Sequence, residues 1–102
     1  MIFGLTIEDG ISVLRIEGEL DAHSVVDLRP VINKIGEDRP PKVRVDLSRL
    51  RLIDSSGVGA IVALFKVVRA YEGDLAAVGV HDQPLAIFRL LHLDRVLLRD
   101  VA

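Results

Sequence analysis

The stretch from Lys42 to Val80 most constrains what this chain can fold into. Residues 42–47, Lys-Val-Arg-Val-Asp-Leu, alternate polar and apolar strictly, the pattern of a strand with one buried face. Ser48–Ile53 then leads into Asp54-Ser55-Ser56-Gly57-Val58-Gly59. An apolar run at helical spacing follows over roughly Ser56–Glu72, with Gly73 as its expected C-cap. Asp74–Val80, largely Ala and Val, reads as a buried parallel strand. Strand, tight turn, apolar helix and strand in succession require a sheet with helices packed on it.

The flanking segments extend this plan. Residues 2–8 and Ile11–Glu17 read as strands joined at Asp9-Gly10, a hairpin signal because both residues accept positive φ. Asp21–Glu37 reads as a helix, with Val25, Leu28, Val31 or Ile32, and Ile35 on one face. Asp21 or Ser24 caps its start, Gly36 stands near its end, and Pro30 marks either a kink or the first turn of a shorter helix. Asp38–Pro41 is a loop. Gln83-Pro84 opens a short helix to about Leu91, and Leu93–Val101 reads as a last strand or an extended tail. The expected order is ββαβαβα(β): an α/β fold with a mixed four- to five-stranded sheet in a single domain over residues 1–102.

Composition narrows the function classes. Half of the 102 residues are hydrophobic but only 4% are aromatic, so the apolar content is aliphatic and intrinsic disorder is excluded. The longest run without charged or strongly polar side chains, Gly57–Phe65, is far short of the about 20 residues of a membrane span, so no membrane insertion is expected. Thirteen Lys and Arg against 15 Asp and Glu form no basic stripe, and nucleic acid is not an expected partner. The chain has no cysteine, hence no disulfide and no thiolate zinc site, which suits the cytoplasm. Glu8 and Asp9 come too early for a signal peptide.

In parallel sheets, functional loops sit where strands end and helices begin. Two segments are placed there: Gly18-Glu19-Leu20-Asp21 and Asp54-Ser55-Ser56-Gly57. The second puts two hydroxyls and a carboxylate at a helix N-terminus, where unpaired amides and the helix dipole attract anions. An ordinary Asp or Ser cap accounts for the same residues. Gly57 and Gly59 each lower helix propensity by up to ~1 kcal/mol relative to Ala, which suggests a purpose other than helix stability. A nucleophilic role for Ser55 requires a base among His23, His81 and His92, and the turn is not Gly-x-Ser-x-Gly. Glu19 and Asp21 are a carboxylate pair or simply loop charge and cap. Three scattered histidines offer no metal spacing, and no cofactor motif is present.

The apolar helix carries two stripes. Val58, Ile61, Val62, Phe65 and Val68 should face the sheet, while Ala60, Ala63, Leu64, Val67 and Tyr71 lie opposite. Either a neighbouring helix covers the second stripe or it is a protein-binding face.

Gly18-Glu19-Leu20-Asp21, Val45-Asp46-Leu47 and Ile53-Asp54-Ser55-Ser56-Gly57-Val58-Gly59, together with Gly73-Asp74-Leu75 and Phe88-Arg89-Leu90-Leu91-His92-Leu93, resemble bacterial anti-sigma factor antagonists of the STAS domain family, the SpoIIAA/RsbV type. The resemblance spans nearly the whole chain. It implies a STAS-like sheet with helices mainly on one face, and a switch protein that is not an enzyme. Its unphosphorylated form would bind an anti-sigma factor that is also a serine kinase of the histidine-kinase-like ATPase fold, releasing the sigma factor. Phosphorylation of the serine after the aspartate, here Ser55, would end binding, and a PP2C-type phosphatase would restore it. Asp21 matches the family's loop aspartate implicated in partner recognition. The partner surface expected from the resemblance and the second stripe comprises Asp21, Asp54, Ser56, Gly57, Val58, Gly59, Leu64 and Val67. The last two are apolar where family members often carry polar residues. The alternative is a STAS scaffold or accessory subunit of a transport or signalling complex that is never phosphorylated.

Overall fold

A computed structural model describes residues 2–97, without the side chain of Ile2. Four strands form one sheet in the order β1 (Ile2–Glu8), β2 (Ile11–Leu20), β3 (Lys42–Ile53), β4 (Asp74–Val78). Helix α1 (Val25–Asp38) joins β2 to β3, α2 (Ser55–Ala70) joins β3 to β4, and α3 (Asp82–Leu90) and α4 (Asp94–Leu97) follow. β1 and β2 are antiparallel, whereas β2–β3 and β3–β4 are parallel. The hairpin turn has φ 53° at Asp9 and 77° at Gly10, the left-handed pair that the Asp-Gly signal anticipates.

One face of the sheet is apolar. Leu14 and Ile16 of β2, Val43, Val45 and Leu47 of β3, and Leu75 and Ala77 of β4 are buried there in one core with Leu28, Ile32 and Ile35 of α1 and Ile61, Leu64 and Val68 of α2. The other parity carries Arg15, Glu17, Arg44 and Asp46. Arg15 pairs with Glu8 at 2.8 Å and with Asp46 at 3.5 Å, and Glu17 with Arg49 at 3.1 Å.

Several boundaries differ from the sequence reading, each for a local reason. β2 and β3 run on to Leu20 and Ile53, whose pairing ends the ladder. The register shifts between Arg15 and Glu17 and again between Gly18 and Glu19, and burial along β3 then recurs every third residue, at Leu47, Leu50 and Ile53. That spacing conceals a strand from a period-two search. β4 ends at Val78 because Gly79 turns away at φ 75°; a Cβ there would lie 2.9 Å from Ser48 Cβ.

α1 begins at Val25, and Pro30 lies in its second turn on the exposed side, with the helix continuing to Asp38. Gly36 does not end the helix. It lets α2 approach, since a Cβ would lie 3.2 Å from Val67 Cγ1, and the left-handed terminator is Arg39 at φ 49°. At the end of α2 the cap is Tyr71 and the left-handed residue is Glu72, while the Gly73 amide returns to the Val68 carbonyl at 2.9 Å. A strand from Leu93 is corrected to helix α4. His92 turns the chain at φ 59°, and Leu97 is buried in the core. The rest of that expected segment, residues 98–101, lies outside the described residues. The sheet therefore has four strands among the described residues.

Candidate functional site

The parallel ends of β2 and β3 bring the two loops together. Asp54 leaves β3 in extended conformation and caps α2, its Oδ1 accepting the Gly57 amide at 2.9 Å. Its Oδ2 accepts the Ala22 amide at 3.3 Å, and its own amide donates to the Leu20 carbonyl at 3.2 Å. One aspartate thus fastens the start of α2 to the loop leaving β2. Gly57 completes the junction: a Cβ there would collide with the Leu20 carbonyl oxygen and stand 2.7 Å from Ile53 Cγ1. This close approach is the purpose of the first helix glycine.

Asp21 shapes its own loop. Its Oδ1 accepts the amides of His23 at 3.0 Å and Ser24 at 2.9 Å, and the Ser24 hydroxyl at 3.1 Å. The Ser24 hydroxyl also reaches the Glu19 carbonyl at 2.9 Å. The Ser24 amide is the main cause holding the Asp21 carboxyl below the usual carboxylate range. Asp21, Asp54, Glu19 and Gln83 line one cleft at this end of the sheet.

Ser55 is the first residue of α2 and is exposed, as are Ser56 and Gly59. Of the four amides that open the helix, those of Asp54 and Gly57 are bonded as described, which leaves Ser55 and Ser56 as the remaining donors. The Ser55 hydroxyl makes no hydrogen bond to another described residue. Among the described residues no histidine ring is hydrogen-bonded to it; His81 directs Nδ1 to Asp82 at 2.7 Å and Nε2 to the Ser48 carbonyl at 2.8 Å. The arrangement is an accessible hydroxyl beside a carboxylate and two helix-end amides, with no general base on it.

The structure separates the expected partner residues into two groups. Asp21, Asp54, Ser55, Ser56 and Gly59 gather at the open end of the sheet. Gly57, Val58 and Leu64 do not belong to that surface: Gly57 is packed on Leu20, Val58 is 8% exposed and Leu64 fully buried. Val67 is half-buried against Gly36 of α1. The second stripe of α2 is therefore in part internal: Ala60 and Leu64 are buried, Val67 and Tyr71 are half-buried, and Ala63 stays exposed. Sequence reasoning missed Gln83. Its Oε1 accepts the Ile53 amide and its Nε2 donates to the Ile53 carbonyl, both at 2.9 Å, directly before Asp54. A lone Gln ahead of Pro84 carries no local signal of that role.

A family model for the STAS domain matches residues 4–101. An anti-sigma-B factor antagonist of Staphylococcus aureus is 27% identical over 88 residues, which cover 86% of this chain and 82% of the relative. Among solved structures, unphosphorylated SpoIIAA, an anti-sigma factor antagonist, superposes with a TM-score of 0.75 at 23% identity, covering 99% of this chain and 90% of the other. The phosphorylated form of SpoIIAA from Bacillus gives a TM-score of 0.75 at 24% identity, over 95% and 89%. An anti-sigma factor antagonist from Mycobacterium paratuberculosis gives 0.84 at 24% identity, over 94% and 81%. The structural likenesses establish the four-stranded mixed sheet with its helices as this shared fold.

Proposed function

The chain belongs to the STAS domain family, and on that premise we propose that it is an anti-sigma factor antagonist switched by phosphorylation of Ser55. In this reading the unphosphorylated form binds an anti-sigma factor that is also a serine kinase of the histidine-kinase-like ATPase fold. The bound kinase releases its sigma factor. Phosphorylation of Ser55 ends binding, and a PP2C-type phosphatase resets the switch. The chain is then a binding partner and a substrate, not a catalyst, and works in the cytoplasm. No helix among the described residues is long and apolar enough to cross a membrane.

The observation that carries the reading is the state of Ser55: exposed, its hydroxyl bonded to no other described residue, first in its helix, and adjacent to Asp54, which ties both loops. A phosphate there adds about −1.5 to −2 charges. The amides of Ser55 and Ser56 and the helix dipole stabilise part of that charge, so the fold tolerates it. The Asp54 carboxylate opposes it, and a partner surface shaped for a neutral hydroxyl meets charge and bulk. Loss of binding then requires no refolding. Exposed Ser56 and Gly59 and half-buried Asp21 complete the partner surface. The unphosphorylated scaffold alternative drew on an exposed second stripe of α2, and Leu64 is buried there.

The test is phosphorylation by an anti-sigma kinase with Mg-ATP, read by mass spectrometry. One phosphate on Ser55 is expected, with none on Ser55→Ala. Ser55→Asp should weaken kinase binding while its thermal unfolding stays close to wild type. Modification of another residue, or tight binding by Ser55→Asp, would refute the mechanism.

A further inference from the structure

β3 outruns its neighbour on one side. β4 pairs with it from Lys42↔Asp74 to Asp46↔Val78 and then stops, while β2 stays paired along the other edge as far as Leu20↔Ile53. Among the described residues, 47–53 of β3 thus have an edge without a strand on the β4 side, where backbone groups still need partners. Side chains from the start of α3 occupy it. His81 Nε2 donates to the Ser48 carbonyl at 2.8 Å. At the far end, the Gln83 carboxamide pairs with both backbone groups of Ile53, each at 2.9 Å. A primary carboxamide offers one acceptor and N–H donors, so it stands in for a peptide unit of the missing strand.

Ile53 is two residues before Ser55. Asp54 anchors the turn towards Leu20 and Ala22 on the β2 side. Gln83 anchors its root from the α3 side. We propose that Gln83 is the positioning residue of the Ser55 turn: its two bonds to Ile53 fix the direction in which Asp54 and Ser55 leave the sheet. As a statement about regulation, this rests on Ser55 being the switch serine. α3 lends the turn its rigidity, so a contact that shifts α3 alters the presentation of Ser55.

Gln83→Glu tests the inference through pH. One carboxylate oxygen still accepts the Ile53 amide, but an ionised group has no proton for the Ile53 carbonyl. Glu19 from the end of β2, Asp21 from the β2–α1 loop and Asp54 from the α2 cap share its cleft, and His81 and Asp82 precede it on its own segment. The three facing carboxylates favour protonation of the introduced Glu, which restores the donor. Amide hydrogen exchange, followed by NMR on the whole chain, provides the readout. At about pH 7.5, exchange at the bonded amides of residues 53, 54 and 57 should be roughly tenfold faster than in wild type, with Leu14 and Ile16 unchanged. At about pH 5 the difference from wild type should shrink. Gln83→Met, which removes both bonds at similar length, should show the local increase at both pH values. Unchanged exchange at residues 53, 54 and 57, or an equal increase at Leu14 and Ile16, would overturn the positioning role. If the local pattern appears and no anti-sigma kinase modifies Ser55, the positioning stands and the switch reading alone fails.

Discussion

Gly57 and Gly59 are two residues apart on α2, yet the structure predicts opposite outcomes for adding a methyl group. At Gly59 a Cβ has nothing within 4 Å, and the position is exposed. Gly59→Ala therefore keeps the usual helix benefit of about 0.5–1 kcal/mol. At Gly57 the Cβ meets the Leu20 carbonyl oxygen and comes within 2.7 Å of Ile53 Cγ1. Neither yields easily, because Leu20 and Ile53 are paired in the ladder and the Leu20 carbonyl also holds the Asp54 amide. Overpacking of this kind costs about 1–3 kcal/mol, which outweighs the propensity gain and leaves Gly57→Ala less stable by about 1–2 kcal/mol. For a domain of this size each kcal/mol moves Tm by about 4–8 °C. Gly57→Ala should melt roughly 4–16 °C below wild type and Gly59→Ala a few degrees above it. Circular-dichroism melts and urea titrations at fixed pH measure both. Gly57→Ala melting at or above wild type, or equal losses in the two variants, would refute the packing argument. Under the proposed function, Gly59→Ala has a further signature: it binds the kinase more weakly although it is the more stable protein. Its methyl group projects into the surface beside Ser55 and Ser56.

Leu64→Ala should destabilise by about 2–5 kcal/mol in urea titrations, because Leu64 is fully buried between α2 and its neighbours; a loss under 0.5 kcal/mol would return it to the surface. His81 bonds a carboxylate and a backbone carbonyl, neither of which donates, so the geometry calls for the imidazolium. Asp82 first, then the Ser48 carbonyl, raise its pKa. A raised folded pKa means that this contribution is complete below the ordinary value near 6.5 and disappears as pH rises through the folded value. The stability gap between wild type and His81→Ala should therefore be larger at about pH 5.5 than at about pH 8.5, and a pH-independent gap would show that the imidazolium is not what stabilises the contact.

The candidate site was legible to the extent that its chemistry is local. A carboxylate, two hydroxyls and glycines between a strand and a helix identify a capped N-terminus from neighbours in the chain alone. The cap at Asp54, the Asp-Gly hairpin and the junction of the two loops at parallel strand ends all appear as that pattern implies. Gln83 was not legible, because its partner Ile53 is 30 residues away and the missing strand it replaces is defined only by where β4 stops.

The second stripe of α2 marks the same division. Periodicity alone established that the helix has two apolar sides, since side-chain direction follows from spacing along a helix. Whether Leu64 and Val67 meet water or another helix depends on where α1 lies. That is set by Gly36, which admits the Val67 methyl group, and by the length of the β2–β3 ladder from which both helices depart. Sequence alone thus determined the order of elements as far as α3, the apolar face of the sheet and the residues of the Ser55 turn, all products of short-range stereochemistry. Tertiary structure decided which apolar surface is buried and which side chains hold the turn, because both depend on contacts between residues far apart in the chain.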